Sequence, residues 1–519
     1  MKLLKSTAKV GTATIASRIL GFVRDMVFAR YFGASAETDA FFLAFKIPNF
    51  MRRLFAEGSF SLAFVPVLSE VRATGDRQAL RDLVDHVSGT LFAILLVITS
   101  IGVLAAPLVL AVFAPGWLID GRPEFHLAAD MLRITFPYIL LISLTALAGG
   151  ILNTFDRFLV PALTPALLNI SLILCAVLLS ARMEVPVMAL AWGVLIAGFA
   201  QLLVQVPALV RLGVLPRPRW GWRHPGVRKI LKLMIPTLIG SSVAQVNLLL
   251  DLVIATFLVS GSVSWLYYSD RLMEFPLGVF GVALSTVILP NLSRKFARNN
   301  PQAFSHTLDW ALRLAAIITL PAALGLAVLA KPILITLFQY DAFEASDVEM
   351  SAMSLAAYAA GLPAFIAVKV LAPGFYARQD TKTPVKIAIT AMVSNMALNF
   401  LFVGALVLAG FKGPHTGLAL ASSAAAYINA GLLYRMLRKH EAYAPEQGWG
   451  RVAFAVLAAC TAMVAVLYWQ YGDLGRWLQA PASRRATHLF LLIGFGAFVY
   501  GATLVAAGLR PRHLSKGSA

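Results

Sequence analysis

The sequence predicts an all-α polytopic membrane protein with about fourteen transmembrane helices: two parallel-repeat six-helix lobes and two C-terminal helices. Composition, segment lengths and internal repeats indicate this fold. Of the 519 residues, 59% are hydrophobic and only 13% are charged, whereas soluble domains are about 45–50% apolar and about 25% charged. One globular core cannot bury such an excess of apolar side chains, so the chain is expected to lie in a bilayer.

The apolar segments are long enough to be membrane helices. A window of about 20 residues, the length that spans a bilayer, finds them near 10–32, 38–68, 86–113, 128–152, 159–181, 186–210, 228–259, 265–293, 308–338, 350–376, 384–409, 414–436, 450–471 and 486–508. Pro48 and Pro276 are among the prolines that interrupt them. Such breaks are tolerated where the freed backbone groups face protein or a wet cavity.

Charge predicts the orientation. An even number of helices places both termini on one side, and loops on the terminal side carry most of the lysine and arginine, including the run Arg217–Lys229. Cytoplasmic loops carry this excess in membrane proteins. Both termini are therefore expected to be cytoplasmic, and the net charge of +19 indicates topology rather than a nucleic-acid partner.

Internal repeats divide the chain. The segment AFVPVLSE (63–70) resembles VILPNLSR (287–294), and AAPLVLAVF (105–113) resembles AKPILITLF (330–338). Two further matches follow in the same order at nearly the same spacing. The predicted domains are an N-terminal lobe (1–215), a C-terminal lobe (216–440) and a terminal helix pair (441–519). Transporters place their substrates between such repeats, although static membrane scaffolds are duplicated too.

Charged residues within the apolar segments predict a wet cavity. Each charge at a helix centre costs about 2.5–3.5 kcal/mol on insertion scales, so these side chains should face water or one another. Helical periodicity groups them as Arg18, Asp25 and Ala29 on helix 1; Lys46, Arg53 and Glu57, with Asn49 and Arg52 beside them, on helix 2; and Tyr267, Asp270, Arg271, Glu274 and Gly278 on helix 8. Internal ion pairing and snorkelling remain alternatives.

The arginines indicate an anionic substrate. A guanidinium group stays charged and binds phosphate or carboxylate through two parallel hydrogen bonds. A cationic drug would be repelled by such a cavity, whereas a lipid-linked diphosphate would fit it. Arg18, Arg24, Arg52 and Arg271 are the predicted substrate-binding residues.

A second polar group suggests coupling to an ion. Asp251 lies in an apolar segment, Asn395 and Asn399 are one helical turn apart, and Thr416 opens a later helix. These side chains offer oxygen ligands for a monovalent cation. A hydrogen-bonded cluster that holds the helices together and a protonated Asp251 are the other two interpretations, and together they are favoured over a bound metal ion.

Long motifs give the chain a family resemblance. Residues 17–70, 136–144, 261–293, 371–376 and 379–389 closely resemble the MurJ (MviN) family of lipid II flippases, within the multidrug/oligosaccharidyl-lipid/polysaccharide exporter superfamily. The resemblance implies two six-helix lobes in a V around a cationic cavity and a hydrophobic groove on the terminal helix pair. It also implies alternating access that moves undecaprenyl-diphosphate-linked peptidoglycan precursor from the inner to the outer leaflet of the bacterial inner membrane.

The resemblance also assigns residues. The essential arginines of the family match Arg18, Arg24, Arg52 and Arg271. Together with the charge pattern, it gives a set of cavity-lining or supporting residues: Asp25, Ala29, Asp39, Lys46, Asn49, Arg53, Glu57, Ser264, Asp270 and Glu274. The expected partners are lipid II, membrane lipids and the cell-wall synthesis machinery, and no cofactor is expected beyond a coupling cation or proton.

The sequence also bears on two other kinds of function, a membrane enzyme and a different exporter. A membrane enzyme would show carboxylates or histidines clustered at a helix end, but the eight histidines are scattered and no P-loop appears. The chain is therefore expected to be a transporter and not an enzyme. Export of another polyprenyl-linked saccharide and cation-coupled multidrug export remain the alternatives.

Overall fold

A computed structural model describes residues 2–52 and 60–509, with side chains left out at 2–10, 62, 236–248 and 282. The described residues form helices and connecting turns, without a β-strand. Among the described residues, eleven continuous helical stretches are long and apolar enough to cross a membrane. The predicted all-α membrane fold is confirmed, while the count of fourteen spans stays a prediction.

The chain forms two compact units, Met1–Val263 and Ser264–Ala519. In its described residues the first unit contains α1 (Lys2–Phe32), α2 (Ala36–Met51), α3 (Ser61–Ala73), α4 (Arg77–Leu104), α5 (Ala106–Phe113), α6 (Pro115–Ile119), α7 (Pro123–Thr135), α8 (Tyr138–Thr154), α9 (Leu159–Leu178), α10 (Met188–Leu203), α11 (Val206–Leu212) and α12 (Pro225–Ala255).

The core of this unit joins α12 to the earlier helices. Phe64 of α3, Val87 of α4, Ile151 of α8 and Ile230 of α12 belong to one buried apolar cluster. Burial of these side chains packs α12 against α3 and α4, in one cluster with α8. The first helix after the predicted lobe boundary thus packs within the N-terminal unit, and the boundaries at 215 and 440 stay predictions.

The second unit continues from α13. It contains α13 (Ser262–Pro276), which begins just before the unit boundary, α14 (Val282–Ala297), α15 (Pro301–Val328), α16 (Ala330–Leu337), α17 (Ala345–Tyr376), α18 (Lys382–Leu408), α19 (Thr416–Lys439), α20 (Trp449–Tyr471), α21 (Leu474–Gln479) and α22 (Ala482–Ala506). Helix α17 packs against α15 and α19, and α20 pairs with α22.

Three predicted helices differ in detail. The predicted segment 86–113 breaks at Ala105, because Pro107 cannot continue a helix interior and instead occupies the first turn of α5. The segment 265–293 is helical throughout, but a π-helical turn at Leu277–Gly281 follows Pro276 and joins α13 to α14. The segment 38–68 contains α2 and α3, and its residues 53–59 lie outside the described ranges.

Two groups of hydrogen bonds attach the terminal helices to the rest of the second unit. Buried Asp309 of α15 accepts hydrogen bonds from the Tyr443 hydroxyl and the Trp449 indole, both at 2.8 Å. Buried Arg485 of α22 donates to the backbone carbonyls of Ile335, Gln339, Leu478 and Ala480 at 2.6–3.2 Å. The helix pair therefore has one anchor at α15 and another beside α16.

Candidate functional site

Arg24 is held inside the N-terminal unit by side chains of two helices. Its guanidinium donates to Asp25 Oδ1, at 2.6 Å from Nη2, and to Asn169 Oδ1 at 3.1 Å. The Asn169 amide in turn donates to the Ser17 carbonyl at 3.0 Å. Arg24 is 7% exposed and Asp25 is fully buried. A buried charge needs such partners, and here α9 supplies one that the sequence analysis did not name.

Arg52 and Asn49 meet at the end of α2, as their predicted neighbouring positions suggest. Arg52 Nε and Nη2 both donate to Asn49 Oδ1, at 2.9 and 2.8 Å. Lys46 lies one turn earlier and is half-buried. These two hydrogen bonds orient the Arg52 guanidinium at the end of α2. Arg53 and Glu57, predicted to share this stripe, lie outside the described residues.

The remaining predicted residues of this unit differ in environment. Arg18 is exposed on α1, whereas Ala29 on the same helix is fully buried. Asp39 is 1% exposed and accepts a hydrogen bond from the Gly261 amide at 2.7 Å. A carboxylate there stabilises the free N–H groups that open α13. Asp39 is therefore in contact with backbone in this structure.

In the C-terminal unit, α13 carries the predicted helix-8 group. Arg271 Nη1 donates to Glu274 Oε2 at 3.0 Å, the i,i+3 geometry that helical spacing favours. Both side chains are partly exposed, and Asp270 precedes them on the same helix. Ser264 is fully buried near the start of α13.

The predicted cation ligands are divided between the units. Asp251 lies on α12 of the first unit and is half-buried. In the second unit Asn399 Nδ2 donates to Asn395 Oδ1 at 3.1 Å, and Asn395 Nδ2 is 3.4 Å from the Ser422 hydroxyl of α19. The Thr416 hydroxyl is buried and has no hydrogen-bond partner among the described residues. The amide contacts join α18 to α19, while the packing interpretation, which also includes Asp251 of α12, stays a prediction.

A second polar group on α13 was missed by the sequence analysis. The Ser269 hydroxyl is 2.7 Å from that of Ser354, and the Trp265 indole donates to Asp347 at 2.9 Å. His415 packs its ring against Trp265, with centroids 5.0 Å apart. Polar residues within the apolar segments were the available signal, but their partners are far away in sequence.

The two units thus place arginines beside amide or carboxylate groups on α1, α2 and α13. Cationic groups outnumber acidic ones among the predicted residues described on α1 and α2, where Arg18, Arg24, Lys46 and Arg52 accompany Asp25 and Asp39. Partly exposed guanidinium groups held by neighbours can bind phosphate oxygens with little loss of side-chain entropy.

Comparison with known proteins gives the family. The family model described as lipid II flippase MurJ matches residues 28–478. The chain belongs to the MurJ family. It is 49% identical to a protein of Vibrio cholerae serotype O1 named "Probable lipid II flippase MurJ", over 99% of this chain and 98% of that one.

Solved structures agree with the membership in the MurJ family. A structure described as "Lipid II flippase MurJ, inward closed conformation" matches with a TM-score of 0.79 and 29% identity, over 95% of this chain and 97% of that chain. An inward-facing multidrug resistance MATE family transporter of the MOP superfamily matches with a TM-score of 0.67 and 14% identity, over 82% and 94% of the two chains. The MATE match supports the shared fold alone.

Proposed function

We propose that this chain is a lipid II flippase, which moves the undecaprenyl-diphosphate-linked precursor of peptidoglycan from the inner to the outer leaflet by alternating access. The observation that carries this proposal is the family match along nearly the whole chain, with 49% identity to the named Vibrio relative. The chain acts in this proposal as a transporter and not as an enzyme.

The arginines supply the proposed headgroup recognition. Arg18, Arg24, Arg52 and Arg271 would bind the diphosphate, while the polyprenyl tail stays in the lipid. The Asn49 and Glu274 side chains hold Arg52 and Arg271 by direct hydrogen bonds, so that each fork is oriented before the substrate arrives. Arg24 is the most enclosed of the four, and Asp25 and Asn169 hold its guanidinium in place.

The test is replacement of the sole copy of the protein by variants. Arg52→Ala and Arg271→Ala should block growth and reduce the lipid II that becomes accessible to an impermeant degrading enzyme at the outer leaflet. Arg133→Ala is the matched control, because Arg133 is exposed and pairs with Asp130. Normal growth and normal accessibility in both alanine variants would overturn the proposed anion recognition.

The proposed location is the bacterial inner membrane, with both termini in the cytoplasm. Cysteine labelling tests the orientation, since Cys175 and Cys460 are buried and should give little background. Ser346→Cys, exposed in the first turn of α17, should react with an impermeant reagent from outside. Gln302→Cys, exposed at the start of α15, should react only after permeabilisation. The reverse pattern would contradict this topology.

Substrate choice separates the proposal from its nearest alternatives. The same fold serves a MATE family transporter, so purified protein in vesicles should be tested with lipid II, with another polyprenyl-diphosphate saccharide and with a cationic drug. Movement of lipid II alone supports the proposal. Preferential movement of either of the other two compounds would replace it. Contact with the cell-wall synthesis machinery is a further expectation, and cross-linking in cells would test it.

A further inference from the structure

The connection between α11 and α12 has features that the transport function does not use. Residues 213–224, here called the strap, contain Arg217, Arg219, Trp220, Trp222 and Arg223. The strap lies within the N-terminal unit. None of its residues belongs to the predicted substrate or cation sites.

The strap is fixed along the first half of α4. The Arg217 amide donates to Asp85 Oδ1 at 2.7 Å, and the Arg219 amide to the Asp85 carbonyl at 3.0 Å. The Gly221 amide donates to the Thr90 hydroxyl at 3.1 Å. A Cβ atom at Gly89 would overlap the backbone of Arg219. These contacts fix the backbone of the strap against α4.

Its outward side combines aromatic rings with unpaired positive charge. Trp220 and Trp222 are 64% and 49% exposed, and their rings lie nearly parallel with centroids 6.5 Å apart. The side chains of Arg217, Arg219, Arg223 and Arg228 are exposed, without ion-pair partners among the residues that the structure describes. An open concavity of about 570 Å³ is lined by the two tryptophans, Gly221, Arg223, His86 and His224.

The nearby acidic groups are already engaged. Asp85 accepts the strap amides, and Asp82 lies 3.2 Å from His224 Nε2 and 3.3 Å from His86 Nδ1. The His86 and His224 rings stack with an interplanar angle of 12°. Parallel rings cannot both direct a nitrogen lone pair at one metal ion, so this cluster holds the strap in place. The strap arginines keep their charge for an external anion.

The level of the strap in the bilayer follows from α4. Thr90 bonds the strap, and the apolar stretch of α4 begins at the next residue, Leu91. Phe92, Leu96 and Val97 within that stretch are exposed, as lipid-facing side chains are. The strap therefore lies where the apolar part of α4 meets water. Tryptophan and arginine are the residues that favour that interface on the cytoplasmic side.

We propose that the strap binds the phosphate headgroup of an anionic bilayer phospholipid in the cytoplasmic leaflet. The arginines would pair with the phosphate and the tryptophan rings would lie at the level of the glycerol and upper acyl chain. A hydrogen bond to a charged group contributes about 1.5–3 kcal/mol. Replacing the three arginines together should therefore lower the affinity at least about 100-fold.

The test uses the full-length protein in detergent and a soluble short-chain phosphatidylglycerol, with binding measured by calorimetry. Wild type should bind this lipid, whereas short-chain phosphatidylcholine and glycerol 3-phosphate should bind at least tenfold more weakly. The triple variant Arg217→Gln/Arg219→Gln/Arg223→Gln should lose at least about 100-fold in affinity. The control Arg298→Gln/Arg435→Gln/Lys439→Gln removes three exposed charges from other helix ends and should bind as wild type does.

Gly89→Ala separates a built site from general attraction. This change displaces the strap without removing any charge, so phosphatidylglycerol binding should fall while the thermal midpoint confirms a folded protein. Unchanged binding in this variant or in the triple variant would overturn the proposal. Equal binding of phosphatidylcholine, or equal loss in the control, would also overturn it, and equal binding of glycerol 3-phosphate would replace a lipid by a free phosphate.

Discussion

The Asn169 amide oxygen accepts a hydrogen bond from Arg24 Nη1 at 3.1 Å, and this contact joins α9 to α1. Asn169→Ala removes an acceptor from a buried guanidinium, a loss of about 1.5–3 kcal/mol for a bond to a charged group. We expect it to reduce lipid II accessibility at the outer leaflet at least tenfold while the protein still inserts. Asn153→Ala, on an exposed position of α8, should behave as wild type. Full transport in Asn169→Ala would show that Arg24 needs no support from α9.

Lysine should only partly replace the guanidinium groups of Arg52, at the end of α2, and Arg271 of α13. Arg52→Lys and Arg271→Lys keep the charge but lose the planar pair of donors that binds a diphosphate. We expect both variants to transport more slowly than wild type and faster than the alanine variants, measured by the same accessibility assay. Wild-type rates in both lysine variants would mean that charge alone is recognised.

Asp309 stabilises the attachment of the terminal helices. Its carboxylate accepts from Tyr443 and Trp449 and lies 2.6 Å from Arg313 Nε. Burial and the neighbouring Asp309 charge raise the pKa of Tyr443, so this hydroxyl remains a donor. Asp309→Ala leaves the arginine without its carboxylate partner and should cost about 3–5 kcal/mol, seen as a lower thermal midpoint. Asp473→Ala removes only an exposed helix cap and should cost about 0.5–2 kcal/mol.

His415 should make the stability of the protein decrease as the pH falls below 6.5. Burial lowers the pKa of His415 from 6.5 to about 4, because the charged imidazolium loses its hydration. As the pH falls below 6.5, His415 is therefore protonated in the unfolded chain before it is protonated in the folded protein. Stability is full above pH 6.5 and falls by about 1.4 kcal/mol per pH unit towards the folded-state pKa.

Thermal unfolding at several pH values tests this assignment. His415→Gln should show a smaller loss of stability between pH 6.5 and pH 4.5 than wild type does. The matched control is His306→Gln, which replaces a partly exposed histidine of the same unit. An identical slope in His415→Gln and wild type would contradict the prediction.

Asp251 remains the prediction for coupling to an ion gradient. If its carboxylate binds sodium or a proton, Asp251→Asn should change the dependence of transport on sodium or on pH. Asn395→Ala should share a sodium effect only if the amide oxygens are ligands, because a side chain that acts only through its contacts with Asn399 and Ser422 has no reason to respond to sodium. An Asp251→Asn variant that matches wild type under every condition would leave only the packing role.

Local features of this protein could be read from the sequence. Helical spacing correctly brings Arg271 to Glu274, Asn49 to Arg52 and Asn395 to Asn399, because each pair is three or four residues apart on one helix. The apolar composition likewise predicts the all-α membrane fold. The three side-chain contacts depend only on spacing within a single helix, and the fold class depends only on composition.

Contacts between distant segments could not be predicted in the same way. Asn169 reaches Arg24 across 145 residues, and nothing in the spacing of either segment indicates the other. Asp39 contacts a backbone amide, and a backbone group has no sequence signature. The packing of α12 with α3 and α4 depends on apolar side chains that resemble those of every other helix.

The hydrogen bonds of Arg485 do not depend on the side chains of the residues that accept them. All four of its hydrogen-bond acceptors are main-chain oxygens, at positions 335, 339, 478 and 480. Side chains at those positions can be exchanged for others that keep the same backbone course, and the attachment of α22 would survive. A designer who grafts α22 onto another bundle would therefore have to keep Arg485 and the backbone course at both places that accept from it, the end of α16 and the turn before α22, and could vary the side chains there.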